Sequence, residues 1–142
     1  MKIYYDYQIF FHQKFGGISK YFINLVNNLD NKTEKLIIAP FHKNYYLENQ
    51  INNVKKFIYF DLKTKNINFI SNNLNKAYTK FLYSYKTPDI FHFTYFNQKN
   101  YLKKKSFYVM TIYDLIKEKF YKEKFKNENL NKIKYFNNMD KI

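Results

Sequence analysis

Two short apolar runs, KIYY at 2–5 and KLIIA at 35–39, bracket a segment whose apolar residues recur with a helical rather than a strand period. Ile18, Tyr21, Phe22, Leu25, Val26 and Leu29 follow the i, i+3, i+4, i+7, i+8, i+11 spacing of one helix face. Strand, helix and strand in that order leave few architectures open, because a helix between two strands serves as the crossover of a parallel pair.

The rest of the chain repeats the pattern. FIYF at 57–60, DIFH at 89–92 and FYVMTI at 107–112 have strand length and apolar content without strict alternation, which predicts strands covered on both faces. A second periodic segment joins Ile67, Ile70, Leu74, Ala77, Tyr78, Phe81 and Leu82 and stops before Pro88. A weaker third runs through Leu130, Ile133 and Phe136. The order strand, helix, strand, strand, helix, strand, strand, helix predicts an α/β fold, a Rossmann-like parallel sheet flanked by helices, as one domain over 1–142. Ligands of such sheets lie outside the carboxyl ends of the strands, which directs attention to the connections 7–17 and 93–105.

Composition removes several classes of function. With no Cys there is no disulfide scaffold, no Cys-ligated zinc and no cysteine nucleophile. The net charge of +14 rests entirely on Lys, since the sequence has no Arg. The lack of the guanidinium fork argues against specific nucleic-acid readout and leaves diffuse attraction to anionic surfaces. Placement of the 16 Tyr and 16 Phe on inferred strands and helix faces assigns most of them to core packing rather than base stacking. The amino terminus reads as a strand at once, without a signal-like or membrane-length apolar run, so a cytoplasmic protein is expected.

Gly16-Gly17 immediately before the helix at Ile18 is the strongest chemical signal. Glycines let backbone N–H groups approach a phosphate at a helix N-terminus, although the same pair also suits a plain tight turn. It matches neither the dinucleotide fingerprint nor the P-loop, so no bound nucleotide cofactor is expected. His92 closes the run DIFH at a strand's carboxyl end, either as a crevice residue or as a buried structural histidine. His12 and His42 lack metal-ligand spacing, and no metal is expected. Asp6, Asp89, Asp114 and Glu118 lie near strand ends, where carboxylates usually cap or face solvent; an acid/base pair is the alternative.

Three separated blocks together resemble the family 4 glycosyltransferases of the GT-B fold. MKIYYDYQIFFHQKFGGISKYF is similar to that family's opening, with an Asp-x-Gln-x-Phe segment followed by a Gly-Gly-Ile-Ser-Arg/Lys-Tyr-Phe helix start. Asp89 to Phe96, DIFHFTYF, is similar to D-x-x-H-P-T-Y-Y, and TIYDLIKEKF from Thr111 to Phe120 to T-V-H-D-M/L-I-x-E-x-F. The resemblance implies the first half of a GT-B two-domain architecture. This domain would shape the acceptor side of the cleft, and a C-terminal domain would hold a nucleotide-sugar donor. It implies a retaining, metal-independent transfer to a glycan or lipid-linked acceptor; separately, the Lys-rich surface favours peripheral contact at the inner face of an anionic membrane. The resemblance also implies catalytic roles for His92 and Asp114, and contacts to donor phosphate or acceptor from Gly16, Gly17, Lys20 and Tyr113. Asp140-Lys141-Ile142 resembles the family's A-D-x-I-I strand start, so the chain reads as the N-terminal domain alone, without transfer activity by itself. The alternative is a non-catalytic remnant or accessory subunit that binds glycan, lipid or a partner chain. Three positions depart from the pattern: Tyr113 replaces His, Phe93 replaces Pro, and Lys20 replaces Arg.

Overall fold

The computed structural model describes residues 1–51, 65–95, 106–111 and 113. Its order is β1 (Lys2–Tyr5), α1 (Gln8–His12), α2 (Gly17–Asn28), β2 (Glu34–Ile37), α3 (Tyr45–Asn49), α4 (Lys65–Tyr85), β3 (Ile90–Phe93) and β4 (Phe107–Met110). The strands form one four-stranded sheet in the order β2-β1-β3-β4, and every pairing is parallel. From β1 the chain moves outward to β2 and then returns to the other side of β1 for β3. That reversal places the topological switch between β1 and β3. The expected strand at 57–60 and the expected helix through Leu130 to Phe136 lie outside the described residues.

Alternation along β1 divides the core between the two faces of the sheet. Ile3 and Tyr5 join Phe22, Ile23 and Val26 of α2 and Leu47 of α3 on one face, while Tyr4 joins Phe91, Phe93 and Tyr83 of α4 on the other. Coverage on both faces explains why the strand runs do not alternate with polar residues. The buried face of α2 is Ser19, Phe22, Ile23 and Val26, rotated from the sequence stripe. Ile18, Leu25 and Leu29 are only partly buried, and Tyr21 is exposed. At the far end of α2, the Lys35 ammonium of β2 donates to the Val26 carbonyl at 3.2 Å and the Leu29 carbonyl at 2.9 Å. The Val26 carbonyl also accepts the Leu29 N–H at 3.4 Å, so the ammonium reinforces the helix C-terminus, where carbonyls lack i+4 donors.

The connection expected over 7–17 contains a helix. The N-cap residue of α1, Tyr7, offers no side-chain cap. The N–H of Ile9 instead donates to Thr94 Oγ1 at 3.1 Å, a partner supplied from beyond β3. α3 has a local signal: the Asn44 side chain accepts from Leu47 N–H at 3.0 Å.

α4 departs most from its sequence pattern. The helix is present, and Tyr78 and Leu82 of the apolar series pack against the core, but the fully buried side chains are Ser71, Asn75, Thr79 and Tyr83, whereas Ile70, Leu74 and Phe81 face outward. The buried polar groups are satisfied specifically. Asn75 accepts from Phe41 N–H at 3.0 Å and donates to the Phe41 carbonyl at 2.8 Å, and Asn72 accepts from the Tyr7 hydroxyl at 2.9 Å. The Thr79 hydroxyl donates back to the Asn75 carbonyl at 2.8 Å.

Candidate functional site

β1 and β3 end side by side, with Tyr5 in register with His92. His92 follows the strand's alternation onto the α2 face, where its ring lies 5.3 Å from Tyr5 and 5.2 Å from Phe22. Its Nε2 hydrogen-bonds with Thr111 Oγ1, just past β4, at 2.9 Å. Burial lowers the His92 pKa to about 4, so the ring is neutral near pH 7. A neutral imidazole can donate or accept a hydrogen bond but cannot balance the charge of a phosphate.

Tyr113 completes this wall. Its ring packs edge-on against Phe22 and Tyr21, each at 5.8 Å. Its buried hydroxyl makes no hydrogen bond of good geometry to any described residue. Burial raises its pKa above the usual tyrosine range, an effect that the nearby Thr111 hydroxyl partly offsets.

α2 presents Gly16 and Gly17 at the start of the same helix that carries Tyr21 and Phe22. Gly16 is the N-cap, and a Cβ there would come within 2.2 Å of Gln13 Oε1. That oxygen stands in for a capping side chain by accepting from Ser19 N–H at 3.3 Å. Asn44 Nδ2 in turn donates to the Gln13 carbonyl at 2.7 Å, and His42 Nδ1 accepts from Asn44 N–H at 3.3 Å. His42 is thus a buried support, neutral because burial lowers its pKa to about 4. Gly17 is different, because a Cβ there would meet nothing within 4 Å. With Ser19 capped, Gly17 and Ile18 are left as the N–H groups of the first turn without an intrahelical acceptor.

Asp6, expected to cap or face solvent, does cap, but it is fully buried. Its carboxylate receives Thr94 N–H at 2.9 Å, the Thr94 hydroxyl, and Gln8 Nε2 at 3.1 Å. Burial raises its pKa to about 7 against the opposing pull of the Thr94 hydroxyl, the Thr94 N–H and the Gln8 backbone N–H. Asp89 lies at the opposite, amino end of the sheet, where it accepts from Lys2 N–H at 2.7 Å, so it takes no part here. Lys20 points toward α3, its ammonium 6.0 Å from the centre of the Tyr46 ring, rather than toward His92. His12 is exposed and its ring lies 5.7 Å from Tyr95. Asp114 and Glu118 lie outside the described residues. Among the described residues no three His, Asp or Glu side chains cluster as metal ligands.

The carboxyl edge therefore brings together His92, Tyr113 and the α2 start with Gly16 and Gly17, and adds Asp6 and Thr94. Comparison with protein-family models, curated proteins and solved structures returns no match for the chain. What is established is a four-stranded parallel α/β sheet with flanking helices, Rossmann-like in its arrangement.

Proposed function

We propose that this chain supplies the acceptor-facing, N-terminal domain of a retaining glycosyltransferase of the GT-B, family 4 type. The observation that carries the reading is the convergence of the three resembling blocks. The first meets the second through Asp6 and Thr94 and through Phe22 and His92, and the third joins them through Thr111 and Tyr113. Asp6 and Thr94, 88 positions apart in sequence, thus meet at the edge where parallel sheets bind ligands.

In this reading the sugar leaves its nucleotide diphosphate as the C1–O bond to phosphate breaks and a bond from C1 to an acceptor hydroxyl forms on the same face. The hydroxyl proton departs with the diphosphate. The N–H groups of Gly17 and Ile18 face the developing phosphate charge, with cationic groups from a second domain. Neutral His92 and the Tyr113 hydroxyl hydrogen-bond sugar or acceptor hydroxyls, and Asp114 belongs to the same subsite by resemblance. Lys20 serves the phosphate only if its side chain leaves Tyr46.

Amide NMR of the full chain, titrated with nucleotide-sugars, nucleoside diphosphates and soluble oligosaccharides, tests the reading. Saturable shifts at Gly17, Ile18, His92 and Tyr113 are expected. Absence of any saturable shift there, with every ligand class, overturns it.

A further inference from the structure

Beside the α2 start, three aromatic side chains form a cluster at the surface. Phe15, the residue before Gly16-Gly17, is 58% exposed, and Tyr45, the first residue of α3, is 43% exposed. Their rings lie 5.2 Å apart with planes 34° from each other, which makes a tilted plate open to solvent. Tyr46, partly buried against the core, stands edge-on to both, 6.3 Å from Phe15 and 5.9 Å from Tyr45. Two hydrogen bonds to main-chain carbonyls fix the plate. Tyr45 N–H donates to Lys14 at 2.9 Å and Asn44 Nδ2 to Gln13 at 2.7 Å. Rings held in this way lose little freedom when a ligand covers them.

Exposed aromatic side chains on a fixed loop mark a contact surface, and size, charge and position select the occupant of this one. Two aromatic rings match a sugar ring in area and fall far below the roughly 800 Å² that each partner buries in a stable protein interface. The apolar face of a pyranose turns polarised C–H groups toward the electron-rich face of an aromatic ring and leaves hydroxyls and substituents at its rim. At the rim of the plate the Lys20 ammonium lies 6.0 Å from the centre of the Tyr46 ring. The segments that build the plate, 13–21 and 42–46, carry Lys14, Lys20 and Lys43 and no acidic residue, and Glu48 follows one turn after Tyr45. An anionic substituent on the sugar is therefore matched in charge. α2 joins the plate to the candidate site, because Lys20 reaches Tyr46 while its neighbour Tyr21 packs against Tyr113.

We propose that Phe15, Tyr45 and Tyr46 with Lys20 form a saccharide subsite, in which a sugar unit bearing a carboxylate or phosphate stacks on Phe15 and Tyr45 and sets its anionic group against the Lys20 ammonium. Lys20 then serves the saccharide rather than the donor phosphate. That this saccharide is the acceptor rests on the transferase proposed above; the subsite itself does not.

The experiment is a titration of the full chain with tetragalacturonate, a hexose monophosphate and neutral maltotetraose, followed by amide NMR. The chain has no Trp, so Phe15→Trp adds a single fluorophore whose emission should change saturably with the same probes. Saturable shifts at Phe15, Lys20 and Tyr45 are expected with one acidic probe or both, and the probe that binds identifies the anionic group. Its binding should be about tenfold tighter than that of maltotetraose and should weaken as salt rises. Phe15→Ala and Lys20→Gln should each weaken it by about tenfold, and Phe107→Ala, at an exposed phenylalanine on β4, should leave it unchanged. Silence toward all three probes overturns the proposal, as does maltotetraose bound as tightly as the acidic probes or full affinity retained in either variant. An emission change with uridine diphosphate and with no saccharide would assign the rings to a nucleobase and also overturn it. Acidic saccharide bound at Phe15, while Gly17, Ile18, His92 and Tyr113 stay silent with every ligand class, would uphold the subsite and overturn the transferase reading.

Discussion

The backbone N–H of Thr94 donates to the buried carboxylate of Asp6 at 2.9 Å, joining the residue after β3 to the residue after β1 across 88 positions of sequence. Hydrogen-bond donors and full burial act on this carboxyl in opposite senses, and the balance leaves its pKa at about 7. Asp6→Ala strands the Thr94 N–H and the Gln8 amide in the interior. It should destabilise the fold by about 1–3 kcal/mol for each buried group left unsatisfied. Urea denaturation at neutral pH checks this, and an unchanged midpoint would contradict it.

The pH dependence of stability has a definite sign. Asp6 binds its proton more tightly folded than unfolded, so its contribution to stability falls as pH rises from about 4 to about 7. His42 and His92, held near 4 when folded, favour the unfolded chain's protonation, so their contributions rise with pH up to about 6.5. Two imidazoles oppose one carboxyl, and these three groups together make stability rise with pH over that window. Asp6→Asn should steepen the rise. Denaturation midpoints measured across the window would show a shallower slope in the variant if the assignment were wrong.

Gly16 and Gly17 should separate on substitution. Gly16→Ala displaces Gln13 Oε1 and releases the cap on Ser19, with an expected loss of about 0.5–2 kcal/mol. Gly17→Ala meets open space and should leave stability unchanged or raise it by about 0.4–1 kcal/mol. Under the proposed function, the same Gly17→Ala substitution weakens nucleotide-sugar binding in a chain joined to a donor-binding half. Thermal unfolding and a binding titration on the same two variants read the two effects separately.

Tyr113→Phe deletes a buried hydroxyl without a partner among the described residues. Stability should hold or increase, because an unsatisfied buried polar group costs about 1–3 kcal/mol. Oligosaccharide affinity should fall if that hydroxyl is reserved for ligand. A loss of melting temperature in calorimetry would mean that the hydroxyl has a structural partner.

In the core, Ile23→Ala should cost about 2–5 kcal/mol and Leu25→Ala distinctly less, since Ile23 is fully buried and Leu25 only partly so. Equilibrium denaturation of the two variants gives the order directly.

The strands and the two long helices are legible in the sequence because short apolar runs and helical spacing are local signals. α1 is not, since its Ile9 N–H finds its acceptor in Thr94, a tertiary contact. The face of α4 is only partly legible, with Tyr78 and Leu82 packed inward as the series predicts and Ile70, Leu74 and Phe81 exposed, for a related reason. Spacing reports which residues share a side, whereas Asn75 faces inward because the main chain of Phe41 supplies both its partners. At the site, His92 and the α2 start are readable from their positions at element ends. The burial of Asp6 depends on Thr94 and has no local trace beyond the nearby Gln8.

The Lys35 ammonium, bonded to the carbonyls of Val26 and Leu29, makes β2 the anchor of α2. The helix is clamped at its tail, so its length acts as a ruler that sets how far Gly16 and Gly17 project toward the ends of the strands. A residue inserted between Leu29 and Lys35 can be absorbed in the turn before β2. One inserted between Gly17 and Val26 rotates the head of the helix by about 100° relative to its clamped end and turns Tyr21 and Phe22 away from His92. Along α2, the spacing between head and clamp therefore constrains the sequence more tightly than the identity of most residues in between.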